Sequence, residues 1–167
     1  MTNVYLLLGS NCGERESFLL KAYSMINNQI GEISTASSVY ETEPWGFESA
    51  DYFLNRVVLA KTALRPAELM SKVLEIEALI GRTRTNNFAG YQNRIIDIDI
   101  LFYSNEIIKS DAIKVPHPEL HNRKFALLPL MEIAAGFIHP VLQKTIKQLY
   151  DECPDTLKVT NYKTTNN

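Results

Sequence analysis

Asp97 and Asp99 stand two residues apart within Arg94-Ile95-Ile96-Asp97-Ile98-Asp99-Ile100-Leu101-Phe102, and their spacing is the first sign of chemistry in the chain. The segment is rich in β-branched residues and free of Gly and Pro, so it reads as a strand. Alternate side chains of a strand share a face. Ile96, Ile98, Ile100 and Phe102 therefore form one apolar face that must cover a core. Ile95, Asp97, Asp99 and Leu101 form the other, with the carboxylates roughly 6–7 Å apart. Two anions so placed repel each other and resist desolvation. A hard cation relieves both problems: Mg2+ takes one or two carboxylates together with substrate phosphates. Two such ions about 3.5–4 Å apart clamp a phosphoryl group in transfer. The plain alternative for so short a motif is a solvated acidic face on an edge strand.

Other residues suit the same chemistry. Arg82, Arg84 and Arg94 bracket the polar stretch Thr85–Asn93 just before the aspartates. They are either salt-bridge partners of the acidic pair or, with a metal present, bidentate holders of phosphate oxygens. A mobile segment between them would let the site open and close. Phe53 and Asn55 alternate on one face of a strand, so they can stack on a flat heterocycle and read its edge. Asn55 equally suits the tying down of a loop. Trp45 and Phe47 beside Pro44 and Gly46 are either a cap on the core or a wall of such a pocket. His117 and His121 have H-x3-H spacing, but no Cys or H-E-x-x-H pattern lies nearby and prolines flank them, which disfavours zinc. The turn Gly9-Ser10-Asn11-Cys12-Gly13 matches no phosphate-loop pattern and reads as structural.

These residues need a scaffold. Val4–Leu8 reads as a buried strand, and Phe18, Leu19, Ala22, Met25 and Ile26 recur at helical spacing until Gly31. Ile33–Thr42 and Tyr52–Lys61 read as further strands. Pro66 opens a second helix carrying Leu69, Val73, Ile76 and Ile80, which Gly81 ends. After the aspartate strand, Tyr103–Glu106 reads as a turn that makes this strand the start of a small hairpin. Ala126–Ala134 and Leu142–Tyr150 read as short helices. The order β-α-β-β-α-β predicts an α+β ferredoxin-like fold, an antiparallel sheet with helices on one face, plus a C-terminal hairpin and short helices. The helices are expected over Ile96, Ile98 and Ile100, leaving the aspartate face for ligand. One domain is expected over residues 1–157, with a polar, frayed tail at 158–167.

The 167 residues are 46% hydrophobic and 22% charged, enough for one ordinary core. A net charge of -2 offers no bulk attraction to nucleic acid or membrane, so an anionic ligand needs a local cationic cluster. Cys12 and Cys153 are in no metal-ligand spacing, and no apolar run approaches ~20 residues, which predicts a cytoplasmic protein.

Gly9-Ser10-Asn11, Y-E-T-E-P-W-G at 40–46, F-L-N at 53–55, G-R-T-R at 81–84, R-I-I-D-I-D-I-L-F at 94–102 and V-P-H-P-E-L-H-N-R-x-F at 115–125 occur in that order. As a set they resemble the 6-hydroxymethyl-7,8-dihydropterin pyrophosphokinases of folate biosynthesis. The resemblance implies transfer of the pyrophosphoryl group of ATP to the pterin hydroxymethyl group, with release of AMP. It implies two Mg2+ ions on Asp97 and Asp99, and a pterin between Phe53 and Phe125 with its edge bonded by Asn55 and the segment Thr42, Pro44 and Trp45. It further implies nucleotide phosphates on Arg84, His117 and Arg123, and a site assembled by Arg82 and Arg94 around the transferring group. A monomer acting on these two small substrates is expected. Glu77 matches a family position, on what reads as an exposed place on the second helix. Two departures stand out. Tyr91-Gln92-Asn93 replaces the aromatic-Gly-Pro that usually precedes the arginine, and the segment from Thr85 is longer than in short members. Two other readings fit parts of the pattern: another Mg-dependent nucleotidyl- or phosphotransferase of this fold, and a non-catalytic nucleotide-binding domain. Neither a binding domain's need for carboxylates nor its need for converging arginines is evident.

Overall fold

Val4, Leu6 and Leu8 alternate with Tyr5 and Leu7 along strand β1 (Thr2–Ser10), and all five are buried. Strand alternation sends the two sets to opposite faces, so this one strand requires an apolar layer on each side. The computed structural model describes residues 1–44, 51–83 and 94–163. Around β1 it places an antiparallel sheet in the order β5-β1-β4-β3-β8, with β2 also paired to β4. The strands are β2 (Gly31–Ala36), β3 (Tyr40–Thr42), β4 (Phe53–Thr62), β5 (Asp97–Tyr103) and β8 (Val159–Asn161). Helices α1 (Arg15–Gln29) and α2 (Pro66–Ile80) lie between them, and with β2 and β3 counted as one interrupted strand along β4 the order is the expected β-α-β-β-α-β.

Leu19, Ala22 and Ile26 of α1 and Leu69, Val73 and Ile76 of α2 pack on Val4, Leu6, Leu8, Ile98 and Ile100, as the periodicity predicts. Pro66 supplies the first turn of α2, Glu68 returns a carboxylate to the Arg65 N–H at 2.8 Å, and Gly81 ends the helix at φ 121°.

Five features depart from expectation. The second face is not left open. Helices α3 (Lys124–Ala134) and α4 (Ile146–Asp151) bury Leu127, Leu130, Ile146 and Leu149 against Tyr5, Leu7, Val57 and Phe102. Asp97 and Asp99, at one end of the sheet, stay only half-buried. Phe102 lies on this second face rather than with Ile98 and Ile100. The register steps from Leu6↔Ile100 to Tyr5↔Phe102, so Leu101 is an extra residue, and this bulge inverts the alternation beyond it. The strand expected over 33–42 is broken into β2 and β3 at Ser37, whose hydroxyl takes the Val57 N–H at 3.0 Å. The tail expected to fray contributes β8, paired to β3, and Tyr162 packs on the core.

The turn after Tyr103 is present, but β6 (Ile108–Lys109) pairs with β7 (Lys114–Val115) rather than returning along β5.

Candidate active site

The register puts Asp97 opposite Gly9 of β1, and Gly9 opposite Asn55 of β4. One row across three strands therefore carries a carboxylate, a bare backbone and an amide, spanning about 10 Å from Asp97 to Asn55 at ordinary strand spacing. A Cβ at Gly9 would lie 2.9 Å from Asn55 Oδ1 and 3.8 Å from Phe53 Cδ1. Glycine is needed there for that close approach. Asn55 is 2% exposed and donates from Nδ2 to Thr42 Oγ1 at 3.0 Å. Thr42 is buried, and the two strands bring it opposite the half-buried Phe53. Phe125, in the first turn of α3, is half-buried against the second apolar cluster, with the Arg123 guanidinium 5.8 Å from its ring centre.

Asp97 is held by cations. Arg82 donates to Oδ1 at 2.5 Å, and Arg94 donates to Oδ2. Burial alone would raise its pKa, but Arg94 and Arg82 outweigh it and hold the carboxyl below the usual carboxylate range. Asp99 is less compensated. Among the described residues, the Arg123 guanidinium lies 3.5 Å from its Oδ2 and the His117 ring 3.9 Å. Burial, then the charge of Asp97, pushes it up to about 7, against the pull of Arg123 and Arg94. His117 is pushed down to about 4 by burial and by Arg123, so it is neutral at neutral pH. Its Nδ1 accepts the Glu119 N–H at 3.2 Å, which leaves the proton on Nε2, facing Asp99.

Two hard oxygen donors on one face, one of them short of positive charge, fit Mg2+ held jointly with phosphate oxygens and water. Among the described residues no group of three or more metal-ligating side chains occurs.

Glu77 is not exposed, as the sequence reading had it, but 1% accessible. Its Oε1 accepts from Arg82 at 2.7 Å and from the Ile98 N–H at 2.8 Å, which ties α2 to both the arginine and the aspartate strand. The signal was present: Glu77 lies four residues after Val73 and eight after Leu69, on the buried stripe. Gly9, at the end of β1, and Asn11, in the turn after it, also went unassigned. Arg82, Arg94, Asp97, Asp99, His117 and Arg123 converge at one end of the sheet, and Thr42, Phe53 and Asn55 adjoin them. Pro44 ends the described part of its segment, half-exposed. Arg84, Trp45 and the segment expected to open and close lie outside the described residues.

From the carboxylates a cleft of about 560 Å3 runs between α2 and the β6–β7 hairpin, lined by Met70, Val73, Leu74, Ile100 and Ile113.

A family model described as 7,8-dihydro-6-hydroxymethylpterin-pyrophosphokinase matches residues 5–135. The 2-amino-4-hydroxy-6-hydroxymethyldihydropteridine pyrophosphokinase of Aquifex aeolicus is 44% identical over 158 residues, covering 95% of each chain. Its counterpart in Porphyromonas gingivalis is 43% identical over 141 residues, 84% of this chain and 95% of that one. An HPPK-DHPS crystal structure with substrates aligns over 90% of this chain with a TM-score of 0.71 at 16% identity, which shows the shared fold. A Plasmodium falciparum HPPK-DHPS structure aligns with a TM-score of 0.72 at 18% identity. This chain spans 43% of the length of either of those longer chains. The chain belongs to the 7,8-dihydro-6-hydroxymethylpterin-pyrophosphokinase family.

Proposed function

We propose that the row Asp97–Gly9–Asn55 is where this enzyme carries out the family's reaction, the transfer of the pyrophosphoryl group of ATP to the hydroxymethyl group of 6-hydroxymethyl-7,8-dihydropterin in folate biosynthesis. The observation that supports the assignment is the register, which sets the Asp97 carboxylate and the Asn55 amide on either side of Gly9. The hydroxyl oxygen bonds to the β-phosphorus of ATP, the bond from that phosphorus to the αβ-bridging oxygen breaks, AMP leaves and the hydroxyl proton is released.

Each residue then has a task. Asn55 and Thr42 bond the pterin edge, with Pro44 and Trp45 alongside, and Phe53 and Phe125 stack on the ring. The cleft beside α2 takes the nucleoside, with Met70, Leu74 and Ile113 as an apolar wall next to Asp111 and Lys114, which supports that placement. His117, Arg123 and Arg84 hold phosphates, while Arg82 and Arg94 stabilise charge on the group in transfer. Asp97 and Asp99 would hold two Mg2+ ions, which when bound neutralise phosphate charge and polarise the group under attack. Because both Asp97 oxygens face arginines here, loading the pair requires Arg82 or Arg94 to turn toward the phosphates. The enzyme acts as a cytoplasmic monomer. No helix among the described residues is long and apolar enough to cross a membrane.

Mass spectrometry of the protein with ATP, Mg2+ and the pterin alcohol tests the reaction. AMP and a pterin diphosphate are expected. ADP with a pterin monophosphate would mean ordinary kinase action, and unchanged ATP would mean a binding domain.

A further inference from the structure

The turn that follows β1 touches both halves of the site. Asn11, 1% exposed, forms a reciprocal pair with Arg94: its N–H donates to the Arg94 carbonyl at 3.1 Å, and its Oδ1 accepts the Arg94 N–H at 2.6 Å. Its Nδ2 donates to the Asp51 carbonyl at 3.4 Å. From the other end of the turn, Arg15 donates to the Tyr52 carbonyl at 2.7 Å and to Glu41 Oε2 at 2.9 Å. Tyr52 immediately precedes Phe53, and Glu41 immediately precedes Thr42, which is the residue paired with Phe53. A single turn therefore grips the backbone of the arginine facing Asp97 and the approaches to both strands of the aromatic slot.

We propose that Asn11, with Arg15, is a positioning device that couples the nucleotide half of the site to the pterin half. An amide suits this position because it both accepts from one backbone N–H and donates to a distant carbonyl. Ala does neither and Asp only accepts. When nucleotide phosphates draw the Arg94 side chain away from Asp97, its backbone stays latched to Asn11. The same amide then sets where residues 51–53 lie as the pterin arrives. Occupation of one half thus favours order in the other, which is a coupling between two binding equilibria. This rests on the roles given above to Arg94, Thr42 and Phe53.

The test is calorimetry of pterin binding with and without a non-hydrolysable ATP analogue and Mg2+. In the unaltered protein the analogue should tighten pterin binding by about 5–150-fold, the usual span of such coupling. Asn11→Ala should bring that ratio to within about twofold of unity and lower kcat more than it raises the KM for ATP. Arg15→Met should weaken pterin binding several-fold with the analogue and less without it, so that the ratio falls here too. Should Asn11→Ala fail to fold, Asn11→Asp decides, because it keeps the acceptor for Arg94 and removes the donor to Asp51; its ratio should also fall. Absent coupling in the unaltered protein, or a full ratio in a folded Asn11 variant, would overturn the proposal. Arg94→Ala and Phe53→Ala serve as controls. If they change neither turnover nor pterin binding, the assignment of the site is at fault and not the coupling.

Discussion

Glu77 accepts a 2.7 Å hydrogen bond from Arg82, and the pair is nearly buried, with side chains 2% and 13% exposed. The same oxygen takes the Ile98 N–H, so this carboxylate fixes where Arg82 sits relative to the aspartate strand. Removing one member of a buried pair costs about 3–5 kcal/mol when the other charge is left alone. Arg82 still faces Asp97 here, so Glu77→Ala is expected to cost less, on the order of 2 kcal/mol. For a chain of this size that is a Tm lower by about 4–8 °C. Turnover should fall as well, because Arg82 loses its fixed position. A Glu77→Ala protein with unchanged Tm and unchanged kcat would contradict this role.

Asp99 gives the metal-free protein a distinctive pH dependence. It is faced by Asp97 and Glu77 on one side of the balance, and by Arg123, Arg94 and the neutral His117 on the other. In the folded protein it takes up a proton below about pH 7, but an unfolded chain does so only below about pH 4. The folded state then binds more protons between those limits, so this group adds stability as pH falls from 7 toward 4 and adds none above 7. Asp97 acts in the opposite direction only at lower pH, where its depressed pKa means the arginine contacts are lost on protonation. Urea unfolding in EDTA at pH 5.5 and 8 should show the Asp99 contribution, and Asp99→Asn should abolish it. Mg2+ affinity should show the reverse trend and weaken below about pH 7. Mg2+ affinity that is constant from pH 5.5 to 8 would contradict the assignment.

Phe53 and Phe125 are expected to separate the two substrates. Either change to Ala should weaken pterin binding by roughly 1–3 kcal/mol, the scale of stacking on a flat base. ATP affinity should move far less. Equal losses for both ligands in calorimetry would make the residue part of the core rather than a wall of the slot.

Much of this was legible in the sequence because it is local. The two periods, 2 along the strands and 3.6 along α1 and α2, predicted the β-α-β-β-α-β order, and D-x-D alternation placed both carboxylates on one face. What escaped depends on register or on distant partners. The bulge at Leu101 is invisible without knowing that Tyr5 pairs with Phe102. The burial of Tyr5, Leu7 and Val57 needed α3 and α4 as cover, and a short apolar helix does not announce which face it will take. The pairing of β8 with β3 is a contact between the chain's end and its first third, and Val159–Asn161 carries no strong strand signal. Glu77 was a misreading, since its place on the stripe of Leu69 and Val73 outweighs its charge once Arg82 and the Ile98 N–H are there to receive it.

We propose above all that Asp97 and Asp99 hold the nucleotide end of the reaction beside a pterin bound at Asn55. Its most direct test is the rate of AMP and pterin diphosphate formation by Asp97→Asn and Asp99→Asn, with pterin binding measured separately without nucleotide. Each change removes a charged metal ligand, and losses of even indirect ligand support cost 10–100-fold, so product formation should fall by at least ~100-fold. Pterin affinity without nucleotide should stay within about twofold, because stacking and edge bonds supply it. Near-normal AMP formation by either variant would contradict the account.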